Sequence, residues 1–134
     1  MNKAIRATQA HFESSTGKTP EYQAWHRLFK REFTALLTQL GATSIQIGKM
    51  NHFDMSGFFT IQNQIWYFRI EDVRWSKDKM LIRTAQSFKD YTGGHNQYVS
   101  MMIDGDNFRN QLTDIIHPAF EDKDIAELEA WIHT

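Results

Sequence analysis

The sequence contains no cysteine, which excludes a disulfide framework, a thiol nucleophile and the zinc sites that use cysteine ligands. It has only two prolines and seven glycines, and no segment rich in either residue indicates a linker between domains. No run approaches the roughly 18 apolar residues of a membrane span, and the first residues lack the apolar core of a secretory signal. From these absences we expect a cytoplasmic protein with no membrane association and no cofactor.

Acidic and basic residues nearly balance, with 16 Asp and Glu against 15 Lys and Arg. The overall charge therefore draws the molecule neither to a polyanion nor to a membrane surface. Hydrophobic residues make up 41% of the 134-residue chain and aromatic residues 13%, which is enough to bury one sizeable core. The composition excludes a disordered chain and favours one domain over residues 1–134.

The clearest helical pattern lies between Glu21 and Leu40, where large apolar residues recur at spacings of three and four. These residues are Tyr22, Trp25, Phe29, Phe33, Leu36 and Leu40. Thr19 before Pro20 offers an N-cap, and Gly41 offers a left-handed residue after the last turn. The pattern predicts one long helix whose aromatic stripe is buried against a sheet.

After Gly41 the apolar period changes to two, which is typical of strands. The alternation predicts three strands, over residues 44–47, 59–62 and 66–71, and a fourth and a fifth strand are expected over residues 79–85 and 97–103. A two-residue hairpin turn is expected at Asn63-Gln64, between the second and third strands.

Two helices are expected after the sheet. Asp106 is the predicted N-cap of a helix over 108–116, and a last helix follows Glu121 and Asp122. Residues 1–18 are a candidate for a loosely attached N-terminal helix. The order of elements predicts a single α+β domain, in which an antiparallel sheet of four to five strands has a long N-terminal helix and two C-terminal helices packed on one face.

Basic residues are concentrated in the predicted sheet, where residues 69–89 hold six basic and three acidic groups. The candidate nucleic-acid-binding residues are Arg69, Arg74, Trp75, Lys77, Lys79, Arg83, Lys89 and Tyr91. Bases can stack on such rings while Arg and Lys neutralise phosphates. The alternative is that long basic side chains fill the solvated face of a sheet that helices cover on one side only.

The C-terminal end has the opposite charge, because residues 104–134 hold eight acidic and two basic groups. The candidates for binding a basic partner are Asp114, Glu121, Asp122, Asp124, Glu127 and Glu129. Acidic helices of this kind can occupy a groove that is lined with Lys and Arg to hold a phosphate backbone.

The segment Gly93-Gly94-His95-Asn96 is a candidate binding loop. A double glycine reaches backbone conformations that other residues avoid, and it can turn several N–H groups toward an anion. A wide turn between the fourth and fifth strands is the alternative interpretation.

No catalytic or metal site is expected. His52 and Asp54 have ligand-like spacing, but no second pair accompanies them, and polar groups that cap their own backbone explain both residues. Asp104 and Asp106 resemble the start of a calcium loop without its later ligands, so N-capping is the simpler interpretation. No combination of Ser, His and Asp indicates a nucleophile.

Three segments carry a family resemblance: Asp72-Val73-Arg74-Trp75, residues 80–85 and residues 89–94. Through them the central third of the chain, about residues 55–103, resembles small, mostly uncharacterised proteins of bacterial phages, plasmids and conjugative elements. That group includes anti-defence inhibitors such as anti-CRISPR proteins. The resemblance implies which kind of genetic element carries the protein more than it implies an activity, and it identifies no catalytic residue.

Two functions are therefore expected. The first is a non-enzymatic inhibitor that docks on a larger protein or ribonucleoprotein complex, such as a host defence effector of the CRISPR type. The second is a nucleic-acid-binding module without sequence preference, which uses the basic, aromatic surface of the sheet. A hydrolase or nuclease is disfavoured because paired acidic or metal-ligand spacing is missing.

Overall fold

The structure is a computed structural model of the chain, and it describes residues 1–14, 20–48, 53–71, 79–90 and 93–117. Within these ranges the chain forms three helices and five strands. The helices are α1 (Asn2–Ser14), α2 (Pro20–Gln39) and α3 (Gly105–Ile116). The strands are β1 (Ser44–Gly48), β2 (Phe53–Ile61), β3 (Gln64–Glu71), β4 (Lys79–Ala85) and β5 (Gln97–Ser100).

The five strands form one antiparallel sheet in the order β1-β2-β3-β4-β5, so each strand pairs with its neighbours in the sequence. This confirms the predicted α+β class and the antiparallel sheet. Residues directly opposite each other on paired strands share a face, so the register defines two faces. The inner face carries Phe59, Phe68 and Ile82, and the outer face carries Tyr67 and Arg83.

The core lies between the inner face and the helices, as the sequence predicts for α2. Trp25, Phe29, Phe33 and Leu36 are all buried, with exposed fractions of 4% or less. The same hydrophobic cluster includes residues of all three helices and all five strands. Burial of this continuous apolar surface is the main term that stabilises the fold.

Helix α1 is attached more tightly than the sequence suggests for residues 1–18. Ile5 is fully buried in the main core. The Trp25 indole Nε1 donates to the Thr8 hydroxyl at 2.8 Å, and the backbone N–H of Ala4 donates to Glu32 Oε1 at 2.9 Å. These bonds satisfy buried polar groups, which would otherwise cost free energy, and they fix α1 on α2.

The hairpin between β2 and β3 turns one residue earlier than predicted. Gln62 and Asn63 occupy its two central positions with φ angles of 51° and 64°, whereas Gln64 already belongs to β3. Two successive left-handed residues form the turn whose twist matches that of the paired strands. The prediction at Asn63-Gln64 was wrong because it placed Asn63 first in the turn. In the structure Asn63 is the second central residue, and Gln62 is the first, also with a positive φ.

The start of α3 also differs from its prediction. The N-cap is Asp104, whose Oδ1 accepts a hydrogen bond from the backbone N–H of Asn107 at 2.8 Å; Asp106 is already inside the helix. Strand β5 ends at Ser100, whose backbone N–H donates to Gln111 Oε1 of α3 at 3.0 Å. The helix that the sequence predicts after Asp122 lies outside the described residues. None of the helices in the described ranges is long and apolar enough to cross a membrane.

Candidate anion-binding face of the sheet

The outer face of the sheet carries a second hydrophobic cluster, separate from the main core. Its buried members are Phe58, Tyr67 and Ala85, and Phe88 packs against them. The register places Phe58 opposite Tyr67 and Tyr67 opposite Arg83, so one row crosses three strands. A sheet with an ordinary solvated face would hold polar residues here, whereas this face is apolar at its centre.

The aromatic rings of this cluster form a continuous stack. The ring centroids of Phe58 and Tyr67 are 5.1 Å apart with an interplanar angle of 26°. Phe58 also stacks on Phe88, at 5.5 Å and 17°. Such offset stacks stabilise beyond the burial of their area. They also fix the ring of Tyr67, on which the neighbouring charged residue rests.

Arg83 is a buried cation in this aromatic setting. Only 6% of the residue is exposed, although the sequence favoured an accessible position for it. Its guanidinium carbon lies 4.6 Å from the centroid of the Tyr67 ring, which is a cation–π contact. Its Nη1 donates to Asn96 Oδ1 at 3.3 Å.

The two remaining guanidinium nitrogens of Arg83 are buried and have no hydrogen-bond partner among the described residues. They are Nε and Nη2, which lie on the same edge of the planar group and point their N–H bonds in parallel. Buried polar groups in native proteins are rarely left without a hydrogen-bond partner, and burial of an unpaired charged group costs the most free energy. Both nitrogens are shielded from solvent as well as unpaired.

Arg69 adds a second positive charge to the outer face. It lies on β3 opposite Leu81, two residues before Arg83 on β4, so the two arginines are diagonal neighbours. Arg69 is half-buried, whereas Leu81 is 3% exposed. Two neighbouring cations in a site of low dielectric raise the potential that an anion meets there.

The glycine-containing loop holds Asn96 against this site. Gly94 has a φ of 58°, in the left-handed region, whereas Gly93 does not. A Cβ atom on Gly94 would lie 2.8 Å from the backbone oxygen of Thr84 and 2.9 Å from its nitrogen. The loop therefore packs directly on β4, one residue beyond Arg83, and only glycine fits at this position.

The polar residues around the glycines differ in exposure and in hydrogen bonding. His95 and Lys89 are exposed, whereas Asp90 accepts a hydrogen bond on Oδ2 from the backbone N–H of Gln86 at 2.9 Å. Of the loop residues that the sequence singles out, Asn96 is the one that hydrogen-bonds Arg83.

A second cation–aromatic pair lies at the edge of the sheet. Lys79 Nζ is 5.6 Å from the centroid of the Tyr98 ring. Tyr98 is 53% exposed, one of the large hydrophobic side chains most open to solvent in the described part of the chain. Its register partner is Leu81, which places the pair on the same outer face as Arg69. An exposed ring beside a cation is a position where a base can stack.

Several candidate residues lie outside the described residues. They are Arg74, Trp75, Lys77 and Tyr91 of the basic group, Glu121, Asp122, Asp124, Glu127 and Glu129 of the acidic group, and His52. Asp114 of the acidic group is exposed on α3. Among the described residues no three His, Asp or Glu side chains lie close enough together to hold a metal ion.

Two members of the site were not found from the sequence. Phe58 and Phe88 belong to the stack that supports the ring of Tyr67, and neither was singled out. The signal for Phe58 was its position beside Phe59: two successive aromatic residues in a strand must point to opposite faces. A large apolar residue on each face indicates that both faces are covered.

No family model matches the chain, and neither does a curated protein sequence or a solved structure. A function for this face is therefore argued from its residues alone.

Proposed function

We propose that this protein is a non-enzymatic nucleic-acid-binding module that binds a single strand, without sequence preference, on the outer face of its sheet. The observation that carries the proposal is the juxtaposition of cations and aromatic rings there. Arg83 lies over Tyr67, Lys79 lies beside the exposed Tyr98, and Arg69 lies on β3 as the diagonal neighbour of Arg83. Cations beside rings are the combination that single-strand binding uses.

The physical roles of these residues differ. Lys79 and Tyr98 are accessible, so they supply the first contacts: the ammonium neutralises a phosphate and the ring stacks on a base. Arg69 extends the positive potential inward along the face. Base-edge recognition needs hydrogen-bonding groups placed in a fixed pattern, and no such pattern motivates the proposal, so affinity is expected to depend on salt more than on sequence.

Fluorescence anisotropy with a labelled single-stranded DNA tests this function through Tyr98→Ala. We expect the variant to bind about 5- to 150-fold more weakly, because stacking of one base on an aromatic ring contributes about 1 to 3 kcal/mol. Wild-type affinity should also fall steeply as salt rises from about 50 to 200 mM, since fewer counterions are released favourably.

The matched control for charge is Lys30→Glu, on the exposed side of α2, compared with Lys79→Glu on the sheet. The proposal requires Lys79→Glu to weaken binding much more than Lys30→Glu does. Equal losses in the two variants would indicate a diffuse electrostatic attraction and contradict a defined site on the outer face.

Docking on a larger protein is the second candidate function, and the charge of the C-terminal region favours it. Eight acidic and two basic groups within residues 104–134 would suit a partner groove lined with Lys and Arg. The resemblance to proteins of mobile elements, which include inhibitors of host defence, points to the same kind of partner. Asp114 is the one residue of the proposed acidic group that lies among the described residues.

The double variant Asp124→Lys with Glu127→Lys separates the two functions. In a docking inhibitor it should weaken capture of a basic partner, mainly by slowing association, because exposed charges steer encounter more than they stabilise a fold. The measurement is the association rate, by surface plasmon resonance, with a partner captured from a bacterial lysate. If the protein instead acts by binding nucleic acid, the same variant should leave DNA affinity unchanged or slightly raise it.

A further inference from the structure

Strand β1 forms an edge of the sheet that can accept another strand. It pairs with β2 on one side, and within the described part of the chain no strand pairs with its other side. Ser44, Gln46 and Gly48 are exposed. The register with β2 runs through all five residues without a bulge. The strand also contains neither proline nor a charged residue, which proteins commonly place on an edge to prevent pairing.

The opposite edge of the sheet is already engaged by side chains. On β5 the backbone N–H of Ser100 donates to Gln111 Oε1 of α3 at 3.0 Å. Just after β5, Gln9 Nε2 of α1 donates to the backbone oxygens of Met101 and Ile103, at 3.2 and 3.3 Å. Two helices thus supply hydrogen-bond partners to the backbone at this edge, so β1 is the edge that favours pairing with a further strand.

The distribution of charge around β1 favours an uncharged partner. The five residues of β1 lie opposite residues 56–60 of β2. These two strands contribute only Ser, Ile, Gln, Gly, Phe and Thr there, so the border of the sheet is a strip two strands wide without a charged side chain. A charged strand would lose hydration here without gaining an ion pair. A neutral strand gains the main-chain hydrogen bonds of the edge without that cost.

Strand β1 is complementary to itself. Residues directly opposite each other on paired strands share a face, and the antiparallel register centred on Gln46 is the one that uses all five residues. In it Gln46 faces Gln46 of a second copy, Ile45 faces Ile47, and Ser44 faces Gly48. Ile45 is half-buried and lies on the inner face, opposite Phe59. An isoleucine of the second copy would cover its exposed part, while the outer face keeps its polar residues together.

We propose that two copies of this protein pair through β1, antiparallel and centred on Gln46, to form one continuous sheet with five strands from each copy. Such a pair is isologous, and its twofold axis is perpendicular to the sheet. Both outer faces therefore lie on the same side. The proposal concerns self-association, and it does not require the proposed function.

One consequence of this pairing rests on the proposed nucleic-acid function. Nine strand spacings of about 4.8 Å would separate the two copies of β5, which is roughly 40 Å. A long single strand can then contact both outer faces. The second contact takes place at an effective concentration of about 1 mM, so even a weak interface makes binding cooperative.

Analytical ultracentrifugation of the full chain, at concentrations up to about 1 mM, tests the pairing without nucleic acid. We expect wild-type protein to show an equilibrium between monomer and dimer. Gln46→Lys and Gln46→Glu should each weaken the dimer at least about 10-fold, because like charges then meet at the centre of the interface. An equimolar mixture of the two variants should recover the dimer, since opposite charges then face each other.

Gln97→Lys is the matched control, because it makes the same change at an exposed position on β5, at the opposite edge. It should leave the dimer unchanged. Recovery in the mixture also shows that the Gln46 variants are folded. Three outcomes would each overturn the inference: a wild type that stays monomeric at about 1 mM, equal losses in Gln46→Lys and Gln97→Lys, or a mixture that does not pair.

Fluorescence anisotropy with single-stranded DNA of about 8 and about 40 nucleotides tests the consequence for nucleic acid. On the longer DNA we expect a wild-type Hill coefficient between about 1 and 2, which Gln46→Lys and Gln46→Glu should lower to about 1. Independent binding to the longer DNA by a protein that dimerises would contradict the placement of both outer faces on one side.

The pairing and the proposed function fail in different ways. A dimer that binds neither DNA would overturn the proposed function and leave the pairing standing. DNA binding by a protein that stays monomeric at about 1 mM would overturn the pairing and leave the proposed function standing.

Discussion

Replacing Phe33 with alanine is expected to lower the free energy of unfolding by about 3 to 5 kcal/mol, the range for truncating a buried aromatic side chain. Phe33 is fully buried. Its ring centroid lies 5.0 Å from that of Phe68 on β3, 6.4 Å from that of Phe59 on β2 and 6.1 Å from that of Phe108 on α3. One side chain thus joins α2 to the inner face and to α3, so its loss leaves a cavity where the two helices meet the sheet.

Denaturant unfolding followed by circular dichroism measures this effect. Lys30→Ala is the control, because it changes an exposed position one turn earlier on the same helix and should alter stability by no more than about 0.5 kcal/mol. A loss below about 1 kcal/mol for Phe33→Ala would contradict the central place that the structure gives this ring.

The elements that the sequence predicted well are those whose periodicity reflects one buried side. In α2 the spacing of three and four is long and uninterrupted, so the aromatic stripe identifies the buried face without any knowledge of its partners. Strand β4 is an exception, because both of its faces are buried although its predicted range of 79–85 matches the structure. A short apolar run indicates such a strand without alternation.

The start of β2 was not predicted, because the contact that explains its residues is with a neighbouring strand and not with residues nearby in the sequence. The strand begins at Phe53, six residues before its predicted start, and runs through Ser56 and Gly57. A Cβ atom on Gly57 would lie 2.9 Å from the Cα atom of Ile47 on β1. Glycine is needed there for the close approach of the neighbouring strand. Because it has no side chain, it interrupts the alternation of apolar and polar residues by which a strand is predicted.

The candidate site was predicted only in part, for a related reason. The sequence placed Arg69, Lys79 and Arg83 on the sheet, but alternation within a strand shows only that Lys79 and Arg83 share a face. It does not show what lies above that face. Burial of Arg83 depends on tertiary contacts with Tyr67 and Asn96, which are 16 and 13 residues away in the sequence. A solvated basic strip and a strip that contains a buried arginine are therefore indistinguishable before the fold is known.

Replacing Gly94 with valine is expected to lower the free energy of unfolding by about 2 to 5 kcal/mol. Two costs combine in this figure. A side-chain-bearing residue pays about 1 to 2 kcal/mol to adopt the left-handed conformation that Gly94 has at a φ of 58°. Its Cβ atom would also collide with Thr84, near the hydroxyl Oγ1 and within 2.9 Å of the backbone oxygen and nitrogen, and overpacking of this kind costs about 1 to 3 kcal/mol.

Gly41→Val separates these two costs, because Gly41 also has a positive φ, of 99°, but a Cβ atom there would meet nothing within 4 Å. We expect Gly94→Val to destabilise the protein by about 1 to 3 kcal/mol more than Gly41→Val in denaturant unfolding. Thr84 belongs to β4 and cannot move away from Gly94 without disturbing the pairing of β4 with β3, so the loop must shift instead and carry Asn96 away from Arg83. The variant should therefore also bind single-stranded DNA more weakly than Gly41→Val does. Equal stability and equal DNA affinity in the two variants would show that the packing of this loop on β4 supports neither the fold nor the outer-face site.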